Sequence, residues 1–205
     1  MRDKLVIAVD GPAASGKGTV ARALAAHYGL PYLDTGLLYR AIGWRAGDQD
    51  DEAAALAAAL AIEPAWLDDA VIRSEAAAAR ASIVSAIPAV RAALLDRQRV
   101  FAAQPTGAVL DGRDIGTVVA PQATAKLFVT AHIETRAHRR ATELDRPFAT
   151  VLADLAERDR RDAARASAPL AQAHDADLLD TTKMAIDVAV RRAIALVEAR
   201  IGRAR

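Results

Sequence analysis

A short β-branched apolar run from Lys4 to Asp10 breaks abruptly into Gly11-Pro12-Ala13-Ala14-Ser15-Gly16-Lys17-Gly18-Thr19. Apolar residues then recur at helical spacing from Gly18 to Tyr28 and stop at Gly29. The run predicts a buried strand and the periodic stretch predicts a helix. The glycines between them let the backbone curl until successive N–H groups converge on phosphate oxygens. The helix N-terminus adds partial positive charge, and Lys17 reaches the β- and γ-phosphates. A hydroxyl just inside the helix is the usual handle on Mg²⁺, here Thr19 rather than the residue directly after Lys17. The plain alternative is a strand–turn–helix connection with glycines for tight packing. It is disfavoured because the strand–loop–helix context that the motif requires is present. The loop specifies a nucleoside triphosphate site and not what is done with the phosphate.

The rest of the chain continues the alternation. A second strand is expected in Pro31–Gly36, then a helix from about Leu37 to Ala46. An alanine-rich, acidic tract follows from Gly47 to Asp69, broken at Pro64. Two helices divided at Pro88 are expected across Ile72–Ala103, since proline suits a first helical turn. Further strands are expected at Ala108–Asp111, Lys126–Thr130 and Asp177–Asp180. Helices are expected from about Glu134, over Thr150–Ala166 and over Lys183–Ile201. Short apolar strands alternating with helices predict an α/β fold, a parallel sheet covered by helices on both faces. At 205 residues the chain suits one domain over 1–205. Within it, a helical insertion is expected around 40–100 and a mobile arm around 145–170.

Composition removes several functions. The chain has no cysteine, which excludes disulfides, thiol catalysis and cysteine–metal sites. The histidines His27, His132, His138 and His174 show no metal-binding spacing. A net charge of +1 argues against nucleic acid or membrane as a partner. With 4% aromatics, a stacking surface for single-stranded nucleic acid is not expected. No apolar run is long enough for a signal core or a span, so a cytoplasmic enzyme is expected, and a monomer.

An acceptor for the phosphate needs its own polar residues. Leu33-Asp34-Thr35-Gly36-Leu37-Leu38-Tyr39-Arg40 and Val109-Leu110-Asp111-Gly112-Arg113-Asp114-Ile115-Gly116 each follow a predicted strand. In an open α/β sheet, ligands gather beyond the carboxyl ends of the strands. The Gly-Lys-Gly-Thr ending of the loop resembles nucleoside monophosphate kinases, although Ala14 stands where that family often has glycine. Together with Ile87-Pro88-Ala89-Val90-Arg91, Glu134-Thr135-Arg136-Ala137-His138-Arg139-Arg140, Glu157-Arg158-Asp159-Arg160-Arg161-Asp162 and Ala168-Pro169-Leu170, these strings closely resemble the bacterial cytidylate kinases. The resemblance runs through almost the whole chain. The insertion between Arg40 and Arg73 is shorter than in many members, without an evident strand-forming segment.

The resemblance implies transfer of the γ-phosphoryl group of ATP to CMP or dCMP, with Mg²⁺ beside the ATP. Gly11, Pro12, Ala13, Ala14, Ser15, Gly16, Lys17, Gly18 and Thr19 would then hold ATP. Ser82, Arg91 and Asp114 would read the base, and Arg40, Arg113 and Arg165 would grip the acceptor phosphate, with Arg73 a further candidate. Arg158 and Asp162 would meet the sugar, and Thr35 and Tyr39 would line the same site. Lys17, Arg158, Asp162 and Arg165 would be the catalytic set. The base readers make chemical sense: a carboxylate accepts from the cytosine amine, while guanidinium and hydroxyl serve its acceptors. Uracil would set O4 against that carboxylate, a mismatch costing about 1–3 kcal/mol. Ser82 alone also fits an ordinary serine packed in a helix.

Arg158, Asp162 and Arg165 fall at i, i+4 and i+7, one face of a helix. A solvated helix with internal ion pairs is the plain reading. With Arg161 close to that face, three arginines there repel unless an anion sits among them, which favours a lid that closes on a triphosphate. Arg136, Arg139 and Arg140 form a similar stripe, which the resemblance places near ATP without individual roles. Asp111, closing an apolar strand, is expected to orient Mg²⁺ through water, with Asp34 a weaker second candidate. No general base is required, since a phosphate monoester is already an anionic nucleophile. A kinase for AMP or UMP, or a nucleotide-binding switch without a small-molecule acceptor, are the alternatives.

Overall fold

The computed structural model describes residues 4–47 and 51–203. Residues 1–3, 48–50 and 204–205, among them part of the 47–69 tract, lie outside the described residues. The chain divides into two compact units, Met1–Leu33 with Ala102–Arg205, and Asp34–Phe101.

The first unit is built on five strands: β1 (Leu5–Asp10), β2 (Tyr32–Asp34), β3 (Gly107–Gly112), β4 (Ala125–Thr130) and β5 (Asp177–Asp180). Their order in the sheet is β2-β3-β1-β4-β5, and the β1–β3, β1–β4 and β4–β5 pairings are parallel. The inner strands β1, β3 and β4 are apolar almost throughout, as parallel strands covered on both sides must be. Alternation sends Ile7, Val9, Val109, Leu127, Val129 and Leu179 to one face. There they pack against Val20 and Leu24 of α1 (Lys17–Tyr28) and Ala193 and Val197 of α8 (Ile186–Arg203). Helices α6 (Ile133–Leu144) and α7 (Phe148–Ala163) complete this unit. The connection from β1 leads towards β2 on one side of the sheet, while β4 lies on the other. The end of β1 is therefore a topological switch point, where α/β sheets bind ligands.

The second unit is helical: α2 (Thr35–Arg45), α3 (Glu52–Leu60), α4 (Glu75–Val84) and α5 (Pro88–Ala102), with 3-10 turns at Pro64–Leu67 and Ala70–Arg73. Asp51 caps α3 by accepting from the Ala53 and Ala54 N–H groups, and Ser74 caps α4 through Ala77. Between 35 and 101 no described residue is a strand.

The elements expected from sequence are present, with three differences. The Ile72 start expected for the first helix of its pair is a 3-10 turn, because the Ser74 cap fixes the helix start at Glu75. A single π turn, Ile115–Val119, follows β3 where only a loop was expected. The helix expected to run to Ala166 ends at Ala163, so Arg165 is not on it. The Leu170 N–H donates to the Asp162 carbonyl at 2.9 Å, folding the chain back over the helix end.

Candidate active site

The loop expected to bind phosphate joins β1 to α1. Gly11 has φ 152°, and a Cβ there would lie 2.0 Å from the Val129 carbonyl oxygen, so only glycine fits. Gly16 at φ 88° is the N-cap of α1, and Lys17 opens the helix. Ala14 adopts φ 59°, the left-handed conformation that glycine would enter freely and alanine enters at a cost of about 1 kcal/mol. Its methyl packs with Ala13 against Ala137 of α6 and Val151 and Leu155 of α7, which offsets part of that cost. The Ser15 side chain is fully buried, and its hydroxyl makes no hydrogen bond.

Asp111 lies on the α1 face of β3. Its Oδ2 accepts from the Tyr32 hydroxyl at 3.2 Å and approaches the position a Gly18 Cβ would take to 3.1 Å. A carboxylate is thus set against the first turn of α1, the turn that carries the exposed Thr19. The Asp111 carboxylate is a hard oxygen donor of the kind a hydrated Mg²⁺ takes. Among the described residues no cluster of three or more His, Asp or Glu gathers as a metal cage.

On the opposite face, Asp10 at the end of β1 was not singled out in the sequence. It is buried, and its carboxylate accepts from the Ile115 and Gly116 N–H groups at 2.8 and 2.7 Å. Burial pushes this carboxyl up to about 7 against the pull of those two N–H groups, with the Asp114 charge raising it and Arg113 lowering it. The bonds fix the turn that presents Arg113 and Asp114. A charged residue closing an otherwise apolar strand was the signal available for it. Lys126 and Thr181 were missed as well. Lys126 is buried in β4 and pairs with Asp175 at 2.8 Å.

The arginine-rich arm holds its own anion. The Arg113 Nε donates to Asp162 Oδ2 at 2.8 Å, Arg165 donates to Asp162 Oδ1, and the Arg158 charge acts on the same carboxylate. Burial raises the Asp162 carboxyl, but the Arg113 and Arg165 charges and the Arg113 hydrogen bond outweigh it and hold it below the usual carboxylate range. Arg160 and Arg161, by contrast, pair with Glu157 at the surface, the solvated-helix arrangement. Of the α6 stripe, Arg140 pairs with Glu143 at 2.7 Å, whereas Arg136 and Arg139 turn inward.

In the helical unit, Thr35, Tyr39 and Ser82 are buried. The Ser82 hydroxyl has no hydrogen-bond partner, while its carbonyl accepts from the Ser85 hydroxyl at 3.2 Å. The Ser85 carbonyl in turn accepts from Arg91 NH1 at 3.2 Å, and the Arg91 guanidinium stands 5.7 Å from the Tyr39 ring centroid. Arg40 NH1 donates to the Ile72 and Ser74 carbonyls, both at 3.2 Å. Arg73 ends the 3-10 turn that these bonds hold. Ser82, Arg91 and Tyr39 are therefore brought together within this unit. Arg113, Asp162 and Arg165 are brought together within the other.

Comparison with known proteins places this architecture. The cytidylate kinase of Xanthobacter autotrophicus is 59% identical over 96% of this chain and 98% of its own length. That of a Methylobacterium species is 60% identical with the same coverages, and that of Rhodopseudomonas palustris is 53% identical over 98% and 100%. Two solved structures share the fold alone. An uncharacterized protein from Eubacterium ventriosum has TM-score 0.62 and 17% identity, covering 96% of this chain and 99% of that one. TT1252 from Thermus thermophilus has TM-score 0.51 and 21% identity, covering 97% and 98%. The cytidylate kinase family model matches residues 7–199, and the chain belongs to the cytidylate kinase family of nucleoside monophosphate kinases.

Proposed function

We propose that this chain transfers the γ-phosphoryl group of ATP to CMP or dCMP, giving ADP and CDP or dCDP. It does so as a single domain over 1–205, with an acceptor-binding insertion around 40–100 and a lid around 145–170. The observation that carries the reading is the pair Arg113 and Arg165, from separate segments, both donating to one buried carboxylate. Two guanidinium forks already aimed at one anion suit a phosphate dianion.

The 11–19 loop binds the triphosphate of ATP, with Lys17 on its transferring end. Thr19 and Asp111 would hold Mg²⁺, the carboxylate through water, and the ion would supply charge neutralisation on the phosphate oxygens. Arg40, Arg113 and Arg165 hold the acceptor phosphate, whose oxygen attacks the γ-phosphorus in line as the bond to the β-bridging oxygen breaks. Lys17, Arg158 and Arg165 neutralise charge on the group in flight, and Asp162 positions the arginines and meets the sugar. Alignment and charge neutralisation supply the rate. Ser82, Arg91 and Asp114 read the cytosine edge, and the orphaned Ser82 hydroxyl supports this, because a buried hydroxyl left unpaired costs stability unless a ligand uses it.

The test is ADP release with ATP and, in turn, CMP, dCMP, UMP and AMP. CMP and dCMP should turn over fastest, and Lys17→Ala should abolish turnover. Equal or faster turnover of AMP or UMP defeats the assignment.

A further inference from the structure

A loop that aims its N–H groups inward at an anion turns its carbonyls outward, and those carbonyls need donors of their own. The Gly16 carbonyl is served by the Thr19 and Val20 N–H groups, both at 3.1 Å. The two carbonyls flanking Ala14 are served from outside the loop. That of Ala13 accepts from Arg136 NH1 at 3.2 Å, and that of Ser15 accepts from the Thr181 hydroxyl at 3.0 Å.

Both donors are themselves fixed. Arg136 is buried, with Nε on the Ala131 carbonyl at 2.9 Å and NH2 on Asp159 of α7 at 2.7 Å. Thr181 is buried, and Arg139 donates to its hydroxyl at 3.0 Å and to its carbonyl at 2.7 Å. Arginine only donates, so the hydroxyl must accept from it and share its one proton between the Ser15 carbonyl at 3.0 Å and the Thr130 carbonyl at 3.1 Å. The left-handed Ala14 thus stands between two braced peptides. A strained residue persists where its surroundings over-determine it, and here the braces do what a glycine would do by freedom alone.

We infer that Arg136 is a positioning residue of the donor site, fastening the outward face of the phosphate loop to helix α7 through Asp159, with Thr181 and Arg139 bracing the carbonyl on the far side of Ala14. This rests on the reading of the 11–19 loop as the ATP site. Arg136 acts through the loop and not on the nucleotide.

The experiment compares Arg136→Lys, Asp159→Asn, Thr181→Val and Thr181→Ser for ATP affinity by calorimetry, and for KM of ATP and of CMP. Arg136→Lys keeps the charge but cannot serve three acceptors as the fork does. It should weaken ATP binding and raise the ATP KM by about tenfold, leaving the CMP KM within about twofold. Asp159→Asn and Thr181→Val should move ATP affinity the same way by about threefold, and Thr181→Ser should restore it. The proposal is overturned if Arg136→Lys raises both KM values alike or leaves ATP affinity unchanged. It is equally overturned if Asp159→Asn tightens ATP, which would make Arg136 a nucleotide ligand held back by Asp159, or if Thr181→Ser fails to restore it. ATP affinity is read without an acceptor, so failure to phosphorylate CMP would defeat the proposed reaction and leave this inference standing.

Discussion

Two arginines of α6, the buried Arg136 and the exposed Arg139, and those gathered at the end of α7 look alike in sequence and are used differently. Arg136 and Arg139 give most of their donors to backbone carbonyls and to Thr181. Arg113 and Arg165 both donate to the Asp162 carboxylate. A backbone carbonyl cannot leave and cannot be exchanged for a ligand of like charge, so a guanidinium bound there is a fixture. A carboxylate offers the oxygens and the charge that a phosphate offers, so guanidinium groups gathered on one are already arranged for the other. The partner of a buried arginine therefore says more about its role than its position in a basic stripe.

The largest effect that would sharpen this contrast is expected at Arg113. Arg113→Met should lower kcat/KM for CMP by about 10²–10³-fold in steady-state kinetics, with a far smaller change in ATP affinity. An effect shared equally by both nucleotides would erase the distinction between fixture and ligand. Asp162→Asn should cost about 3–5 kcal/mol in urea unfolding at neutral pH, because it leaves buried guanidinium groups without their anion. Asp162 has a folded pKa below its unfolded value. Its contribution is therefore present above about pH 4 and is lost as pH falls through the lower folded value. The difference between wild type and Asp162→Asn should shrink in that acid range, and a pH-independent difference would show that the carboxylate's charge is not what holds the arginines.

Ser82→Ala removes a buried hydroxyl that has no partner, so stability should change by less than about 1 kcal/mol while preference for CMP over UMP falls by about threefold to tenfold. A thermal melt beside competition kinetics separates the two. The smallest effect is expected at Ala14→Gly, where relief of the left-handed strain is set against lost methyl packing and a freer unfolded chain. Unfolding free energy should move by about 0.5 kcal/mol or less. A large loss would mean that the methyl contacts with α6 and α7, more than the carbonyl braces, keep the loop in shape.

The fold was largely legible because its strands are short and apolar and its helices are periodic, and Gly11 to Thr19 carried the loop with them. The insertion's helices were legible from Pro88 and the alanine-rich tract. The helix end at Ala163 was not, because it depends on a hydrogen bond from Leu170, and no local propensity marks it. Asp10 was missed because its partners, Ile115 and Gly116, lie more than a hundred residues away along the chain.

Sequence by itself determined the order of elements, the glycine-bearing loop from Gly11 to Thr19 and the set of arginines, since periodicity, glycine and residue type are local properties. Tertiary structure decided which arginines face carbonyls and which face Asp162, how an alanine holds a left-handed conformation, and that Ser82 is buried with its hydroxyl unpaired. Those outcomes follow from where distant backbone atoms come to rest once the sheet and its helices have packed, and residue order does not encode them position by position.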